Sequence, residues 1–141
     1  MKLNRKNMLL VVSCAVFDHD WNILVSSRLN DKSWAGFWEF PGGKIEDGET
    51  PEEALVRELF EELSIIVKPI SLIPLTFISY PYDDHHMLMP LFACHHFEGV
   101  PQGCEGQQIK WLTISDLANY PMLPADKPLV SFLYNYYYRK I

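Results

Sequence analysis

The chain has 141 residues, 48% of them apolar, and a formal net charge of −6 at pH 7. This length suits one domain with a sizeable core, and the acidic balance leaves no basic surface for nucleic acid. The three cysteines are odd in number and contain no C-x-x-C pair, so they indicate neither a disulfide framework nor a zinc site. We expect a single domain over residues 1–141 that binds no nucleic acid.

The first predicted element is a buried strand over residues 8–17, MLLVVSCAVF. This run is too short to span a bilayer. Lys2, Arg5 and Lys6 precede it, as in a secretory leader, but Asp18-His19-Asp20 stands where a small-residue cleavage site would lie. We therefore expect a cytoplasmic protein that does not associate with membranes.

Further apolar runs rich in β-branched and aromatic residues predict the remaining strands. They cover residues 21–27, 38–41, 65–80, 87–97 and 109–113. Pro90 cannot donate a hydrogen bond to a neighbouring strand, so it indicates an edge strand or a bulge in run 87–97.

Capping residues predict three helices. Thr50 and Glu53 form a capping box with Pro51 at the first helical position, so a long helix should begin there. Ser115 is expected to cap a short helix. Pro128 opens the last helix, whose apolar stripe is Leu129, Phe132, Leu133 and Tyr136. Strands with helices on opposite sides predict an α/β fold, specifically an α/β/α sandwich.

The first of these helices concentrates the acidity of the chain. Glu58, Glu61 and Glu62 stand at i, i+3 and i+4, which places three carboxylates on one face. Residues 46–62 hold eight acids and only Arg57 as a base, a balance of −7, so the rest of the chain sums to +1. A solvated acidic helix would need interleaved Lys or Arg. Oxygen ligands instead suit a hard cation such as Mg²⁺, which is usually held by a few carboxylates and a substrate's phosphates.

Residues 43–65, GKIEDGETPEEALVRELFEELSI, resemble the Nudix box, glycine-x5-Glu-x7-Arg-Glu-hydrophobic-x-Glu-Glu-x-Gly-hydrophobic. Every position matches except that Ser64 replaces the last glycine. The lead-in at residues 38–44, WEFPGGK, and the segment GETP at residues 48–51 are similar to the MutT branch of that family. The resemblance implies a Nudix fold, an α/β/α sandwich with a mixed β-sheet.

The resemblance also implies an activity and its metal site. Nucleoside triphosphates would be cleaved to a monophosphate and pyrophosphate with Mg²⁺, for which Mn²⁺ is a possible substitute. Glu58 and Glu62 match direct metal ligands, and Glu61 matches a third that binds directly or through water. Gly42 matches a position that offers its backbone carbonyl to the metal. Glu105 matches a downstream glutamate that is a further ligand or the general base.

Other positions match residues that support the site. Arg57 is expected to point away from the ligand face and to form an ion pair with Glu49, which fixes the loop to the helix. Arg28 and Lys44 match basic positions near the phosphates, and either is alternatively a surface cation. A left-handed conformation at Ser64 would cost a non-glycine residue roughly 1–2 kcal/mol.

Trp34, Phe37 and Tyr82 are candidates for stacking on the nucleobase, although all three are alternatively core or rim residues. Asp126 stands where the MutT protein has an asparagine that reads the base. An ionised carboxylate only accepts hydrogen bonds, so Asp126 could read 8-oxoguanine if protonated, or accept from an exocyclic amine such as N4 of cytosine. It could also cap the last helix.

The expected substrate is 8-oxo-dGTP, and hydrolysis of that nucleotide serves nucleotide-pool sanitation. CTP or an oxidised pyrimidine nucleotide is the alternative substrate, and a Nudix-like domain that binds without hydrolysis is a third possibility. The expected assembly is a monomer or a weak homodimer.

Overall fold

A computed structural model describes residues 7–138 and contains, over that range, seven strands and three α-helices. Lys2, Arg5 and Lys6, considered above for a leader, lie outside the described residues. The strands are β1 (Asn7–Val16), β2 (Ile23–Ser27), β3 (Trp38–Glu39), β4 (Gly42–Lys44), β5 (Leu72–Pro81), β6 (His85–Cys94) and β7 (Ile109–Leu112). The helices are α1 (Pro51–Leu63), α2 (Ile114–Leu117) and α3 (Lys127–Tyr137), with a 3₁₀ turn at Pro69–Ser71.

The strands form a four-stranded sheet in the order β4-β1-β6-β5 and a three-stranded sheet in the order β3-β2-β7. Strands β1 and β6 run parallel, while the other pairs are antiparallel, so the larger sheet is mixed. Alternate residues of β1 face opposite sides: Val12, Cys14 and Val16 pack with α1, whereas Ala15 packs with α3. The predicted α/β/α sandwich with a mixed sheet is confirmed.

Helix α1 begins as the capping residues predict. The Thr50 hydroxyl accepts from the Glu53 backbone N–H at 3.1 Å, and the Glu53 carboxylate accepts from the Thr50 backbone N–H at 2.9 Å. Four buried side chains, Ala54, Leu55, Leu59 and Leu63, seat the helix on β1. This orientation directs the carboxylates on one face of the helix towards the edge of the sheet that β4 forms.

Ser64 ends α1 in the left-handed conformation, with φ 60° and ψ 30°, as expected at a position that normally carries glycine. We expect Ser64→Gly to stabilise the protein by about 1 kcal/mol, because glycine adopts this conformation without steric cost. Thermal unfolding should show a Tm increase of a few degrees. Ser71→Gly, which adds the same flexibility outside the left-handed region, should lower Tm. An unchanged or lower Tm for Ser64→Gly would contradict a steric cost at this position.

Several strand predictions were wrong in detail. Run 65–80 is interrupted by the 3₁₀ turn, because the fixed φ of Pro69 suits a turn and its ring nitrogen cannot donate. Residues 42–44 form strand β4 instead of a turn, and Trp21 precedes β2 with a φ of 64°. Pro90 lies in β6, which is internal, so the edge-strand interpretation was wrong. The irregularity falls in the partner strand β5, between Pro74 and Thr76.

The last two helices also differ from expectation. Thr113, not Ser115, caps α2, and its hydroxyl accepts from the Asp116 backbone N–H at 3.0 Å. The buried face of α3 consists of Leu129, Val130, Leu133 and Tyr137. Tyr136 is 45% exposed and is not part of the buried stripe. Within residues 7–138, every helix is too short or too polar to span a bilayer.

Candidate active site

Two adjacent glycines let strand β4 approach both α1 and β1. A Cβ atom on Gly43 would lie 2.4 Å from Cδ of Glu58, so any residue other than glycine would displace that carboxylate. A Cβ atom on Gly42 would lie 2.0 Å from the carbonyl oxygen of Val12 on β1. We expected glycine at position 42 because a metal would approach its backbone carbonyl. The structure shows that the close packing of β4 against β1 is enough by itself to require glycine there.

Gly43→Ala is expected to displace the Glu58 carboxylate and to lower kcat/KM by about 10²-fold, the order of loss for a displacement of 1 Å in an active site. The fold should survive, because the clash is with a side chain that can move and not with backbone. The measurement is steady-state hydrolysis together with thermal unfolding. Gly99→Ala should instead lower Tm and leave kcat/KM unchanged, since φ +97° would strain the backbone of an alanine at this position beside Ser64. Wild-type activity in Gly43→Ala would contradict the assignment of Glu58.

Glu62 lies one helical turn after Glu58 and is paired with it. Burial, and then the hydrogen bond and charge of Glu58, raise the pKa of Glu62 to about 9. The Gly42 backbone N–H lies 3.4 Å from Glu62 Oε2 and acts in the opposite direction. Burial and the neighbouring Glu58 therefore favour the protonated form of Glu62, because two adjacent carboxylates in a desolvated site do not readily ionise together.

The loop that carries Glu105 is held by the end of α1. The last carbonyls of a helix lack partners within it, and here the Glu62 carbonyl accepts from the Cys104 backbone N–H and from the Gln107 side chain, both at 3.0 Å. The Gln107 amide oxygen also accepts from the Glu105 backbone N–H at 2.8 Å. Glu105 thereby borders the same cleft as Glu62, and its charge adds to the rise in the pKa of Glu62.

Arg57 links the loop before α1 to the carboxylates on the helix. Its Nε and Nη2 atoms donate to the two carboxylate oxygens of Glu49 at 2.8 and 2.9 Å, a bidentate pair that lowers the pKa of Glu49 to about 2. Nη2 also donates to the Lys44 carbonyl at 3.1 Å. We expected Arg57 to point away from the ligand face, which was wrong: Nη1 donates to Glu58 at 2.9 Å and to Glu61 at 3.4 Å.

Glu61 is the most exposed of the three helical carboxylates and shares the Arg57 Nη1 donor with Glu58. Its side chain is 54% exposed and faces the Arg57 guanidinium. Among residues 7–138, no three acidic, histidine or cysteine side chains are already grouped as a metal site. The structure therefore brings together Glu58 and Glu62, with Glu105 beside them, and leaves Glu61 at the rim.

Arg28 faces the cleft from the end of β2. Its Nη1 atom donates to Glu39 Oε2 at 3.2 Å, and its Nε atom donates to the Ser33 carbonyl at 3.2 Å. Burial raises the pKa of Glu39, and the neighbouring Arg28 opposes that rise. Our sequence analysis quoted Glu39 in the lead-in motif but assigned it no role. The sequence signal for Glu39 was its position between two aromatic residues, both of which the structure shows to be buried.

Asp126 is a buried acid at the start of α3, with only 4% of its surface exposed. Its Oδ2 atom accepts from the Phe40 backbone N–H at 3.2 Å, and its side chain makes no capping bond to the helix. The capping role considered for it is therefore wrong. Burial raises the pKa of Asp126 to about 7; the negative charge of Glu39 adds to the rise, while the Phe40 N–H and Arg28 oppose it.

The aromatic candidates lie in different positions. Tyr82 follows β5 and stacks on His85 with ring centroids 4.6 Å apart; charge interactions with Asp126 and Arg28 contribute to its pKa, which burial raises. Trp34 is 52% exposed in the loop after β2 and meets Phe37 edge to face at 5.3 Å. Lys44 contributes its backbone carbonyl to the Arg57 contacts, and its side chain is exposed.

Comparison with known proteins identifies the family that this site belongs to. The model of the NUDIX domain matches residues 8–133. The chain belongs to the Nudix family. Glu58 and Glu62 belong to the Nudix box, and the glycine pair and the capped helix described above hold them in place.

Three relatives illustrate the relationship of this Nudix protein to others. It is 39% identical over 111 residues to the 8-oxo-dGTP diphosphatase of Escherichia coli (strain K12), covering 79% of this chain and 84% of that protein. It is 35% identical over 124 residues to the CTP pyrophosphohydrolase of the same organism, covering 86% and 89%. A MutT Nudix hydrolase from Burkholderia pseudomallei superposes with a TM-score of 0.81 at 26% identity, covering 91% and 99%. The chain is thus an enzyme, a Nudix hydrolase.

The donor set of this Nudix site fits a divalent cation. Glu58 and Glu62 offer carboxylate oxygens from one helix face, and Glu105 borders the same cleft. Burial, and then Glu58, raise the pKa of Glu62, so a cation bound beside the two carboxylates would favour their ionised forms. Hard oxygen donors without nitrogen or sulfur favour Mg²⁺ or Mn²⁺ over softer metals.

Proposed function

We propose that this Nudix enzyme is a Mg²⁺-dependent nucleoside triphosphate pyrophosphohydrolase that converts 8-oxo-dGTP to 8-oxo-dGMP and pyrophosphate. The observation that carries the proposal is the half-buried pair of Glu58 and Glu62, of which Glu62 lines one cleft together with Glu105 and Arg28. The 8-oxo-dGTP diphosphatase of E. coli, 39% identical, supports the same substrate. The role of this enzyme would be to remove an oxidised nucleotide before that nucleotide is incorporated into DNA.

Glu58, Glu62 and Glu105 are the side chains that would hold the cation. Glu61 would join through water, since its side chain is 54% exposed at the rim, and the Gly42 carbonyl remains a further candidate ligand. The bound cation would neutralise phosphate oxygens and polarise the attacking water. Mn²⁺ is a possible substitute because it accepts the same oxygen ligands.

The remaining residues at the cleft would either orient the metal ligands or present positive charge to the substrate's phosphates. The Arg57–Glu49 pair holds the box loop against α1 and orients Glu58 through the bond from Nη1. Arg28, fixed by Glu39 and by the Ser33 carbonyl, presents a cation to the substrate's phosphates from the opposite wall. Lys44 would add a second cation from the exposed end of β4. Glu105, exposed on its loop, is the candidate general base.

Asp126 supports recognition of 8-oxoguanine. With a pKa of about 7, it is a neutral acid for a large part of the time at neutral pH. The protonated form can donate to O6 through one oxygen while the other keeps the bond from Phe40. Tyr82, whose charge interactions place it near Asp126 and Arg28, would stack on the base, with Trp34 and Phe37 closing the loop over it.

CTP or an oxidised pyrimidine nucleotide is the second candidate substrate. The specific observation in its favour is that the ionised form of Asp126, available above a pH of about 7, accepts from an exocyclic amine such as N4 of cytosine. The CTP pyrophosphohydrolase of E. coli, 35% identical, supports this candidate.

Comparing kcat/KM for 8-oxo-dGTP, dGTP and CTP with Mg²⁺ tests the proposal. We expect 8-oxo-dGTP to be preferred over dGTP by at least about 10-fold, because N7 of 8-oxoguanine carries a proton that Asp126 could accept beside O6, whereas N7 of guanine is itself an acceptor. A preference for CTP would replace the first candidate by the second. Hydrolysis of none of the three would contradict both and favour a Nudix domain that binds without turnover.

A further inference from the structure

Strand β5 lies at the edge of the larger sheet. The order β4-β1-β6-β5 pairs it with β6 on one side, and among residues 7–138 no other strand pairs with its second edge. The strand, LIPLTFISYP, contains no charged residue. Monomeric proteins usually protect long edge strands with charges, prolines, bulges or a covering segment, because unpaired backbone groups recruit another strand.

Only the first half of β5 has such protection. Pro74 and the register shift between Pro74 and Thr76 interrupt the early part of the strand. From Thr76 to Tyr80 the pairing with β6 is regular, and Pro81 ends it. The unprotected edge is therefore the segment 76–80, TFISY, which we call the open edge.

The open edge borders an apolar sheet face that α1 does not cover. Registers along β1, β6 and β5 place Leu10, Leu88 and Ser79 side by side, with Met8, Phe77 and Pro90 on the same face. Phe77 is 65% exposed, Met8 56% and Leu10 45%. An exposed sheet face normally carries several polar residues. This face has no Asp, Glu, Lys or Arg on these strands, and its polar side chains, Ser79 and His86, hydrogen-bond to each other.

We propose that the open edge pairs with the same edge of a second copy of this chain, antiparallel and about a twofold axis at Ile78. Charge favours a copy over a different partner: each chain carries −6, yet the edge and its adjoining face are neutral, so two copies meet without opposing charges there. A partner recognised by charge would find nothing to bind. Twofold pairing also closes the assembly, since both copies use the same edge.

The pairing has one favoured register. The centre of segment 76–80 is Ile78, which faces Ile78 of the second copy; Thr76 then faces Tyr80, and Phe77 faces Ser79. These are β-branched and aromatic cross-strand pairs, which stabilise antiparallel strands, and Phe77 extends the apolar face across the junction. A contact of five residues per chain lies at the small end of specific interfaces, so the dimer is weak and forms at high concentration.

Sedimentation velocity between about 10 µM and 1 mM, a range in which weak dimers form, tests the interface. We expect the weight-average sedimentation coefficient of the wild type to rise with concentration towards that of a dimer. Phe77→Lys should weaken dimerisation by at least about tenfold, because it places a charge beside the pairing edge. Ile70→Lys is the matched control: Ile70 is 90% exposed and lies outside β5, so this variant should dimerise like the wild type.

Three results would overturn the proposal. They are a wild type that stays monomeric at about 1 mM, equal effects of Phe77→Lys and Ile70→Lys, and an edge occupied only by a different protein. Thermal unfolding of both variants checks that they fold.

Disulfide trapping tests the register. In a Cys104→Ser background, which removes the exposed free thiol, a mixture of Phe77→Cys and Ser79→Cys chains with different tags should cross-link faster than either variant alone. Residues facing each other on antiparallel strands lie within disulfide reach, whereas Phe77 is offset by two positions from Phe77 of the second copy, and Ser79 likewise from Ser79, so identical residues do not. Faster self-cross-linking of either single variant would overturn the Ile78 register.

Discussion

Replacing Glu58 by glutamine is expected to lower kcat by at least about 10²–10³-fold while the protein remains folded. Glu58 lies under Gly43, receives a hydrogen bond from Arg57 and lies beside the half-buried Glu62. Glutamine keeps the size of the side chain but removes the charge that would hold a cation. The measurement is turnover of the preferred nucleotide at saturating Mg²⁺, with circular dichroism and thermal unfolding on the same samples.

Glu52→Gln is the matched control for this variant. It makes the same chemical change in the first turn of the same helix, away from the cleft, and it should keep wild-type kcat. If Glu58→Gln is folded and as active as Glu52→Gln, Glu58 does not bind the cation. Equal losses in both variants would instead indicate a general effect of charge on the helix.

Substrate choice is expected to change with pH through Asp126. Its pKa is about 7, so the protonated form, which donates to O6 of 8-oxoguanine, gives way to the acceptor form as pH rises. The ratio of kcat/KM for 8-oxo-dGTP to that for CTP should therefore fall by up to about tenfold per pH unit above pH 7. Taking this ratio between pH 5.5 and 8.5 cancels effects on the metal site that both substrates share.

Asp126→Asn provides the control, because an amide does not titrate in this range. Its ratio should stay constant with pH and favour 8-oxo-dGTP. Stability gives a second readout: a group with a raised pKa stabilises the fold below its ordinary value and loses that contribution as pH rises through the folded-state pKa. The Tm of the wild type should thus fall relative to Asp126→Asn as pH rises from the ordinary pKa of 3.8 to about 7, and should level off above that. A ratio that varies identically in both proteins would show that another group controls it.

Features that depend on neighbours in the chain were predicted well from sequence. The capping box at Thr50, the left-handed Ser64 and the pairing of Arg57 with Glu49 all follow from spacing along one helix and its preceding loop. The box also placed Glu58 and Glu62 on one face, because their separation is one helical turn.

Features that depend on contacts distant in sequence were not predicted. Strand β1 pairs in parallel with β6, about 78 positions later, and this pairing makes Pro90 part of an internal strand. The spacing of Arg57 did not reveal that its Nη1 atom reaches Glu58 and Glu61, since one side chain offers several donors in different directions. The burial of Asp126, which sets its pKa, comes from packing against residue 40.

Identifying the products by ³¹P NMR tests the central claim most directly. The purified enzyme, incubated with 8-oxo-dGTP and Mg²⁺, should release pyrophosphate and the monophosphate in equal amounts, and chelation of the metal with EDTA should stop the reaction. Release of inorganic phosphate and a diphosphate, or turnover that persists with EDTA, would contradict a metal-dependent pyrophosphohydrolase built on Glu58 and Glu62.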